Sequence, residues 1–224
     1  MIWLLVALAI APGIGILMFV YFKDKYEKEP LSLIIKCFFW GMLTVIPPII
    51  IETMGSSFSP DKTNNIYSIF LYSFAFVGFS EEFSKYLLLR IYPFRKKDFN
   101  EPFDGIVYAV AISMGFATFE NIFYVIEGGI GTGLVRIFTA VPAHGAFAVI
   151  MGFYVGLAKF KQNHFGYLFI GVLMATLAHG AYDFFIMQND YPALKLLTLV
   201  CLIIIIILSF RAMKIHRNNS PFKQ

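Results

Sequence analysis

Long apolar runs alternate with short polar segments along the whole chain of 224 residues. A membrane-spanning helix needs about 20 predominantly apolar residues. By that length the sequence predicts about seven spanning helices, at 2–22, 31–51, 66–90, 104–126, 134–158, 165–187 and 193–212. Because the connecting segments are short, we expect an all-α polytopic bundle that forms one domain over 1–224.

Composition agrees with a protein that lies in a bilayer. Hydrophobic residues make up 58% of the chain and charged residues only 14%, whereas about a quarter of a soluble domain is charged. The net charge of +4 does not indicate a nucleic-acid partner, because the basic residues are scattered through short loops, as topology and lipid head groups require.

The basic residues also predict the orientation. Most Lys and Arg residues follow the first, third, fifth and seventh runs, and the opposite loops hold only Lys62, Arg136 and Lys195. Under the positive-inside rule the N-terminus lies outside and the C-terminus in the cytoplasm. The first run has no basic n-region, so we expect a retained helix and not a signal peptide.

Ionisable side chains interrupt the third run, where Glu81, Glu82 and Lys85 lie among apolar residues. Each such group costs on the order of 2.5–3.5 kcal/mol inside the membrane, so it needs a partner, a water-filled cavity or a function. Other runs contain further polar residues: Asp104, Glu120, Asn121, His144, His179 and Asp183. We expect these helices to complete one polar site, in the outer half of the membrane or near its midplane.

The spacing of these residues indicates acid and base chemistry. Lys85 follows Glu81 by four positions and Glu82 by three, so its ammonium can reach either carboxylate. His179 and Asp183 lie four positions apart on one helix face, where a carboxylate can orient and polarise an imidazole. Two glutamates in different environments are suited to separate acid and base roles.

Several of these residues also have a purely structural interpretation. Lys85 could only neutralise a glutamate for insertion, and His144 could only form an interhelical hydrogen bond. Asp104, near the cytoplasmic interface, is typical of a helix N-cap or loop. Arg136 follows the glycine-rich turn 128–133 and is predicted to be a solvated loop end.

Three motifs occur in order on separate predicted helices: EExxK at 81–85, FxxxE at 116–120 and HxxxD at 179–183. Together they resemble the PrsW family of bacterial intramembrane proteases. The segments 11–13, 103–108 and 142–145 look like that family too, so the likeness covers nearly the whole chain. It implies a single transmembrane protease domain in the bacterial cell membrane.

The resemblance also implies an activity and a partner. The expected reaction is site-1 cleavage of a single-pass membrane anti-sigma factor on its extracytoplasmic side, which releases a sigma-factor stress response. A short membrane peptide is the alternative substrate. The implied catalytic residues are Glu81, Glu82, Glu120, His144, His179 and Asp183, with Lys85 and Asn121 in support.

The PrsW family is similar to the CAAX prenyl-protein proteases, in which a glutamate and a histidine activate water. That similarity implies that one of the paired glutamates is the base and that His179 assists at the oxyanion. Glu120 stands where those relatives have histidine, and Asp183 stands where they have asparagine. An ionised Asp183 would repel an oxyanion, so we expect it to orient His179, and we expect His144 to supply the missing imidazole.

Two other mechanisms and functions stay open at the level of sequence. The favoured glutamate mechanism needs no cofactor, but His144, His179 and Glu120 could bind Zn²⁺ with an open fourth position. A proton-coupled transporter could use the same residues as a buried relay, although the chain lacks the repeated halves common in transporters. A non-catalytic membrane scaffold is the third possibility.

Overall fold

The computed structural model describes residues 2–223, without the side chains of Ile2 and Leu4. Met1 and Gln224, the ends of the expected domain 1–224, lie outside the described residues. Within 2–223 the regular elements are helices and include no strand, which confirms the predicted all-α class. The α-helices are α1 Ile2–Lys23, α2 Leu31–Leu43, α3 Ile46–Met54, α4 Ile66–Leu71, α5 Ser80–Ile91, α6 Pro102–Phe138, α7 Ala140–Phe160, α8 His164–Ile186 and α9 Lys195–Asn218.

Five helical runs within 2–223 are long and apolar enough to cross a membrane: Leu5–Lys23, Leu31–Met54, Pro102–Phe160, His164–Ile186 and Pro192–Asn218. The sequence predicts about seven spans. The difference arises at two places. The run from α4 to α5 is helical throughout, but its carboxylates make it less apolar, and the predicted spans 104–126 and 134–158 fall within one run. The protein is a multi-pass membrane protein.

The second predicted span, 31–51, divides into two helices. Thr44 ends α2, and its hydroxyl donates to the Gly41 carbonyl at 2.7 Å. Pro47 and Pro48 follow in the first turn of α3. Proline cannot continue a helix, because it lacks an amide hydrogen and its ring clashes with the carbonyl four residues earlier, but it is tolerated in a first turn. The chain therefore starts a second helix here.

Helix α6 forms the centre of the bundle. Every residue from Phe103 to Thr118 is buried, and α1, α2 and α7 pack against this stretch. A helix that is apolar all round is stable only when it is covered on every side. Asp104 and Glu120 lie at the two ends of the buried stretch, so α6 fixes the positions of two acidic groups.

The chain reverses direction within α6 at Gly129, which has φ +70° and ψ −161°. Glycine adopts this conformation readily because it has no Cβ. The reversal brings Arg136 Nη2 within 2.9 Å of Glu120 Oε2, although 16 residues of straight helix would span about 24 Å. The prediction that Arg136 is a solvated loop end is therefore wrong.

Helix α8 lies against the π-helical segment Tyr72–Phe79, which joins α4 to α5. The two backbones approach at Gly78 and Gly180, where a Cβ on Gly78 would lie 3.0 Å from the Gly180 amide nitrogen. This approach positions His179 beside the start of α5. Single π-helical segments inside α-helices are frequent at functional sites.

Candidate active site

A cavity of about 350 Å³ lies among α3, α5, α6, α7, α8 and the π-helical segment. Five of the six predicted catalytic residues line it: Glu81, Glu120, His144, His179 and Asp183. The sixth, Glu82, is fully buried and does not line the cavity. The fold thus gathers the polar residues of four separate predicted spans around one space.

Lys85 is the central cation of this cluster. Its Nζ donates to Glu81 Oε2 at 3.0 Å, to Glu82 Oε1 at 2.8 Å and to His144 Nδ1 at 3.3 Å. It also lies 4.0 Å from the centre of the Phe116 ring. A buried carboxylate is tolerated when it is paired and hydrogen-bonded, so one ammonium group compensates two glutamates.

His179 is held between two carboxylates. Its Nδ1 donates to Glu82 Oε1 at 2.9 Å, and its Nε2 lies 3.1 Å from Asp183 Oδ2. The ring also stacks on Phe147 with 4.7 Å between centroids. Because an ionised carboxylate only accepts hydrogen bonds, the imidazole is positively charged when both partners are ionised. The Asp183 carboxylate thus lies where it can orient the His179 imidazole.

His144 takes the opposite arrangement. Its Nε2 lies 3.0 Å from Glu120 Oε2, while its Nδ1 faces the Lys85 ammonium at 3.3 Å. Arg136 donates to the same Glu120 oxygen at 2.9 Å and, through Nε, to Asn121 Oδ1 at 2.7 Å. The two imidazoles thus have different neighbours: His179 lies between two carboxylates, and His144 lies between a carboxylate and an ammonium.

Two charged residues of the cavity wall are not among the predicted site residues: Glu52 on α3 and Arg136 after the reversal in α6. Glu52 directly follows an apolar run, and Arg136 is one of few basic residues on the predicted outer side, so each carried a weak signal. Asn121 has a tethering role, because its amide donates to the backbone carbonyls of Leu8 and Ala9 on α1.

The fold and this site define a class of protein. A helical membrane bundle that encloses a cavity lined by carboxylates, imidazoles and a guanidinium contains the acid, base and anion-stabilising groups of a membrane-embedded hydrolase.

Comparison with known proteins identifies the family. Residues 29–209 match the family described as "PrsW family intramembrane metalloprotease". The chain is 37% identical over 182 residues to "Protease PrsW" of Bacillus subtilis (strain 168), which covers 80% of this chain and 81% of the relative. It is 35% identical over 212 residues to "Protease PrsW" of Oceanobacillus iheyensis, with 94% and 95% covered. No solved structure matches the chain.

The chain therefore belongs to the PrsW family and is a membrane peptidase. The predicted family resemblance is confirmed. Membership favours the peptidase over the proton-coupled transporter and the scaffold.

The family description implies a metal ion, and the donors suit one. One ligand atom from each of four buried residues lies within 4.8 Å of the other three: Glu81, Glu82, His144 and His179. Imidazole and carboxylate donors are those of zinc hydrolases. Lys85 Nζ contacts three of these donors, Glu81, Glu82 and His144. Glu120 contacts the other nitrogen of His144 and is not part of this set.

Proposed function

We propose that this peptidase hydrolyses a peptide bond of a single-pass membrane anti-sigma factor on its extracytoplasmic side, the site-1 cleavage that releases a sigma-factor stress response. The observation that carries the proposal is the cavity, because Glu81 lines it beside Arg136 and His179. Glu52 and Met187, at its wall, lie close to the loops that contain few basic residues. The positive-inside rule assigns those loops to the outer face.

The proposed topology has seven crossings with the N-terminus outside. Two observations support seven. The run from α4 to α5 is one continuous helix, and α6 and α7 pack antiparallel, with Gly105 against Gly152 and Ser113 Oγ donating to the His144 carbonyl at 2.9 Å. On the predicted outer side, Asn64 Nδ2 donates to Asp190 Oδ1 at 2.9 Å and joins two loops.

In the proposed reaction Glu81 is the general base. Its Oε2 is held by Lys85, and its side chain faces the cavity, whereas Glu82 is sealed behind it. Glu81 would take a proton from water as the water oxygen attacks the substrate carbonyl carbon. It would then give this proton to the departing amine as the C–N bond breaks, so one carboxylate acts as base and then as acid.

The negative charge that develops on the carbonyl oxygen needs nearby cations or donors. Arg136 and His179 line the same cavity and supply them. Glu82 and Asp183 hold the His179 ring in place and are positioning residues in this mechanism. Zn²⁺, when held by Glu82, His144 and His179 of this donor set, would supply a Lewis acid and a water molecule of lowered pKa, and it would leave Glu81 as the base.

The test is cleavage of a tagged single-pass anti-sigma factor by purified protein in liposomes, with and without a zinc chelator. Glu81→Gln is compared with Glu127→Gln, a matched control because Glu127 is exposed on α6 and does not line the cavity. We expect cleavage by the wild type and the control, and none by folded Glu81→Gln protein.

Each other outcome changes a specific part of the proposal. If the chelator abolishes cleavage and Zn²⁺ restores it, a zinc-dependent mechanism replaces the metal-free one. Cleavage of a short membrane peptide but of no anti-sigma factor would overturn the proposed substrate. Full activity of folded Glu81→Gln protein would overturn the role of Glu81.

A further inference from the structure

A second group of carboxylates, four of them buried and one half-buried, lies far from the catalytic cavity. It forms where the segment between α1 and α2 packs against the start of α6, and its members are Asp24, Glu27, Glu29, Glu101 and Asp104. One oxygen from each of Asp24, Glu29 and Asp104 lies within 4.8 Å of the other two. The same holds for Glu27, Glu101 and Asp104, so Asp104 is common to both triads.

Hydrogen bonds orient these carboxylates. Asp104 Oδ2 accepts the backbone amides of Asn100 at 2.6 Å and Glu101 at 2.8 Å. The Tyr108 hydroxyl donates to Glu29 Oε2. The remaining oxygen of each of these two carboxylates receives no hydrogen bond from a third residue. The two carboxyl groups lie within hydrogen-bond reach of each other, so a shared proton or a cation is needed between them.

Many oxygen atoms of this cluster lack a hydrogen-bond partner. Six buried oxygen atoms in this cluster have no hydrogen-bond partner: Asp24 Oδ2, Glu27 Oε2, Glu29 Oε1, Asn100 Oδ1, Glu101 Oε2 and Asp104 Oδ1. Asp24, Glu29, Glu101 and Asp104 are each at most 2% exposed. Buried polar atoms normally have partners, and a group of them without any indicates a missing ligand such as an ion.

Among the described residues no cation forms an ion pair with this cluster. None of their Lys, Arg or His nitrogens forms an ion pair with the five carboxylates. Lys28 is close, but its Nζ donates to the backbone carbonyls of Tyr21 and Asp24. Burial, together with neighbouring carboxylates, raises the pKa of Asp24 and of Glu29 to about 7. Protons and a metal ion would therefore compete for the same oxygens.

We propose that this cluster binds a hard divalent cation, of the Ca²⁺ or Mg²⁺ class, which clamps the 24–29 segment to the start of α6. The available donors are five carboxylates and one amide carbonyl, and oxygen-only donor sets select hard cations over Zn²⁺. Glu101 and Asp104 also form the capping box of α6. The ion would thus fasten the connection between α1 and α2 to the central helix, independently of the catalytic cavity.

The test uses the full-length protein in detergent after treatment with EDTA. Tb³⁺ is the probe, because it replaces hard cations and its luminescence is sensitised by a nearby tyrosine, here Tyr108. We expect saturable Tb³⁺ luminescence that Ca²⁺ or Mg²⁺ displaces and that equimolar Zn²⁺ displaces at least tenfold less well. The displacing ion should also raise the melting temperature of EDTA-treated protein.

Variants locate the ion. Asp104→Asn should weaken Tb³⁺ binding at least tenfold. If the Asp104→Asn protein does not fold, Glu29→Gln is used instead, with the same expected result. Glu127→Gln, an exposed acid on the same helix, and Glu81→Gln in the catalytic cavity should bind Tb³⁺ as the wild type does.

The proposal would be overturned if the wild-type protein showed no saturable Tb³⁺ binding and its melting temperature depended on pH but not on divalent ions. That result would show that protons neutralise the cluster. Binding lost in Glu81→Gln but kept in Glu29→Gln would also overturn it, because the ion would then be in the catalytic site.

Discussion

The two acidic clusters lie at opposite ends of the buried stretch of α6, and their charges are compensated in different ways. Asp104 and Glu120 are 16 residues apart on α6, which corresponds to about 24 Å. At the Glu120 end, Lys85, Arg136 and two histidines pair with the carboxylates. At the Asp104 end, the described residues offer carboxylates and neutral donors, and six oxygens have no partner.

This difference in charge pairing determines what each cluster can do. Where the chain supplies its own cations, the carboxylates are fixed in position and one of them, Glu81, can still face a cavity. Where no cation among the described residues pairs with the carboxylates, buried ionised groups are costly unless they bind a metal ion. Carboxylates that pair with the protein's own cations are suited to catalysis. Carboxylates without such cations are suited to binding a structural ion.

The largest expected effect concerns the cation of the catalytic cluster. Lys85→Met leaves Glu81 and Glu82 buried without their ammonium, and removing one partner of a buried ion pair costs about 3–5 kcal/mol. We expect this loss in the free energy of unfolding, measured by denaturant titration in mixed micelles. Lys28→Met is the control, because Lys28 is exposed and donates only to backbone carbonyls. Equal losses in the two variants would contradict the comparison.

The next effect concerns catalysis alone. Glu81→Gln should lower kcat by about 10²–10⁴-fold, the usual contribution of a general base. The melting temperature should change little, because Lys85 still pairs with Glu82. Single-turnover cleavage in liposomes measures the rate. A variant that loses stability and activity together would indicate a structural role for Glu81.

A third prediction transfers the internal cation to the other cluster. Asp24→Lys places an ammonium beside Glu29 and Asp104, as Lys85 stands beside its glutamates. A ligand present at 100 times its Kd stabilises a protein by about 2.7 kcal/mol. We expect the rise in melting temperature on adding Ca²⁺ or Mg²⁺ to shrink or vanish in this variant. A rise equal to that of the wild type would show that the ion does not bind here.

The smallest expected effect concerns the outer wall of the cavity. Arg136→Lys keeps the charge but cannot contact Glu120 and Asn121 together, because lysine lacks the planar two-point geometry of arginine. We expect kcat/KM to fall about tenfold, which corresponds to about 1.4 kcal/mol. Cleavage rates at several substrate concentrations measure it. An unchanged kcat/KM would place Arg136 outside the reaction.

Much of this protein follows from the sequence. The helical membrane class is determined by apolar runs of spanning length, since a bilayer leaves few alternatives for the backbone. The local geometry of Lys85 with Glu81 and Glu82 follows from helical spacing, as does that of His179 with Asp183. The three motifs also sufficed to indicate the PrsW family.

Other features depend on contacts between residues far apart in the chain. The reversal at Gly129 brings Arg136 to Glu120, and spacing along a helix cannot predict such a return. The close approach of Gly78 and Gly180 brings His179 to Glu82 and leaves Glu81 as the glutamate that faces the cavity. Glu29 and Asp104 are 75 positions apart, and only the packing of the 24–29 segment on α6 places them together. Helical periodicity acts over a few residues, whereas the enclosure of a cavity and the pairing of buried charges are decided by how whole helices pack.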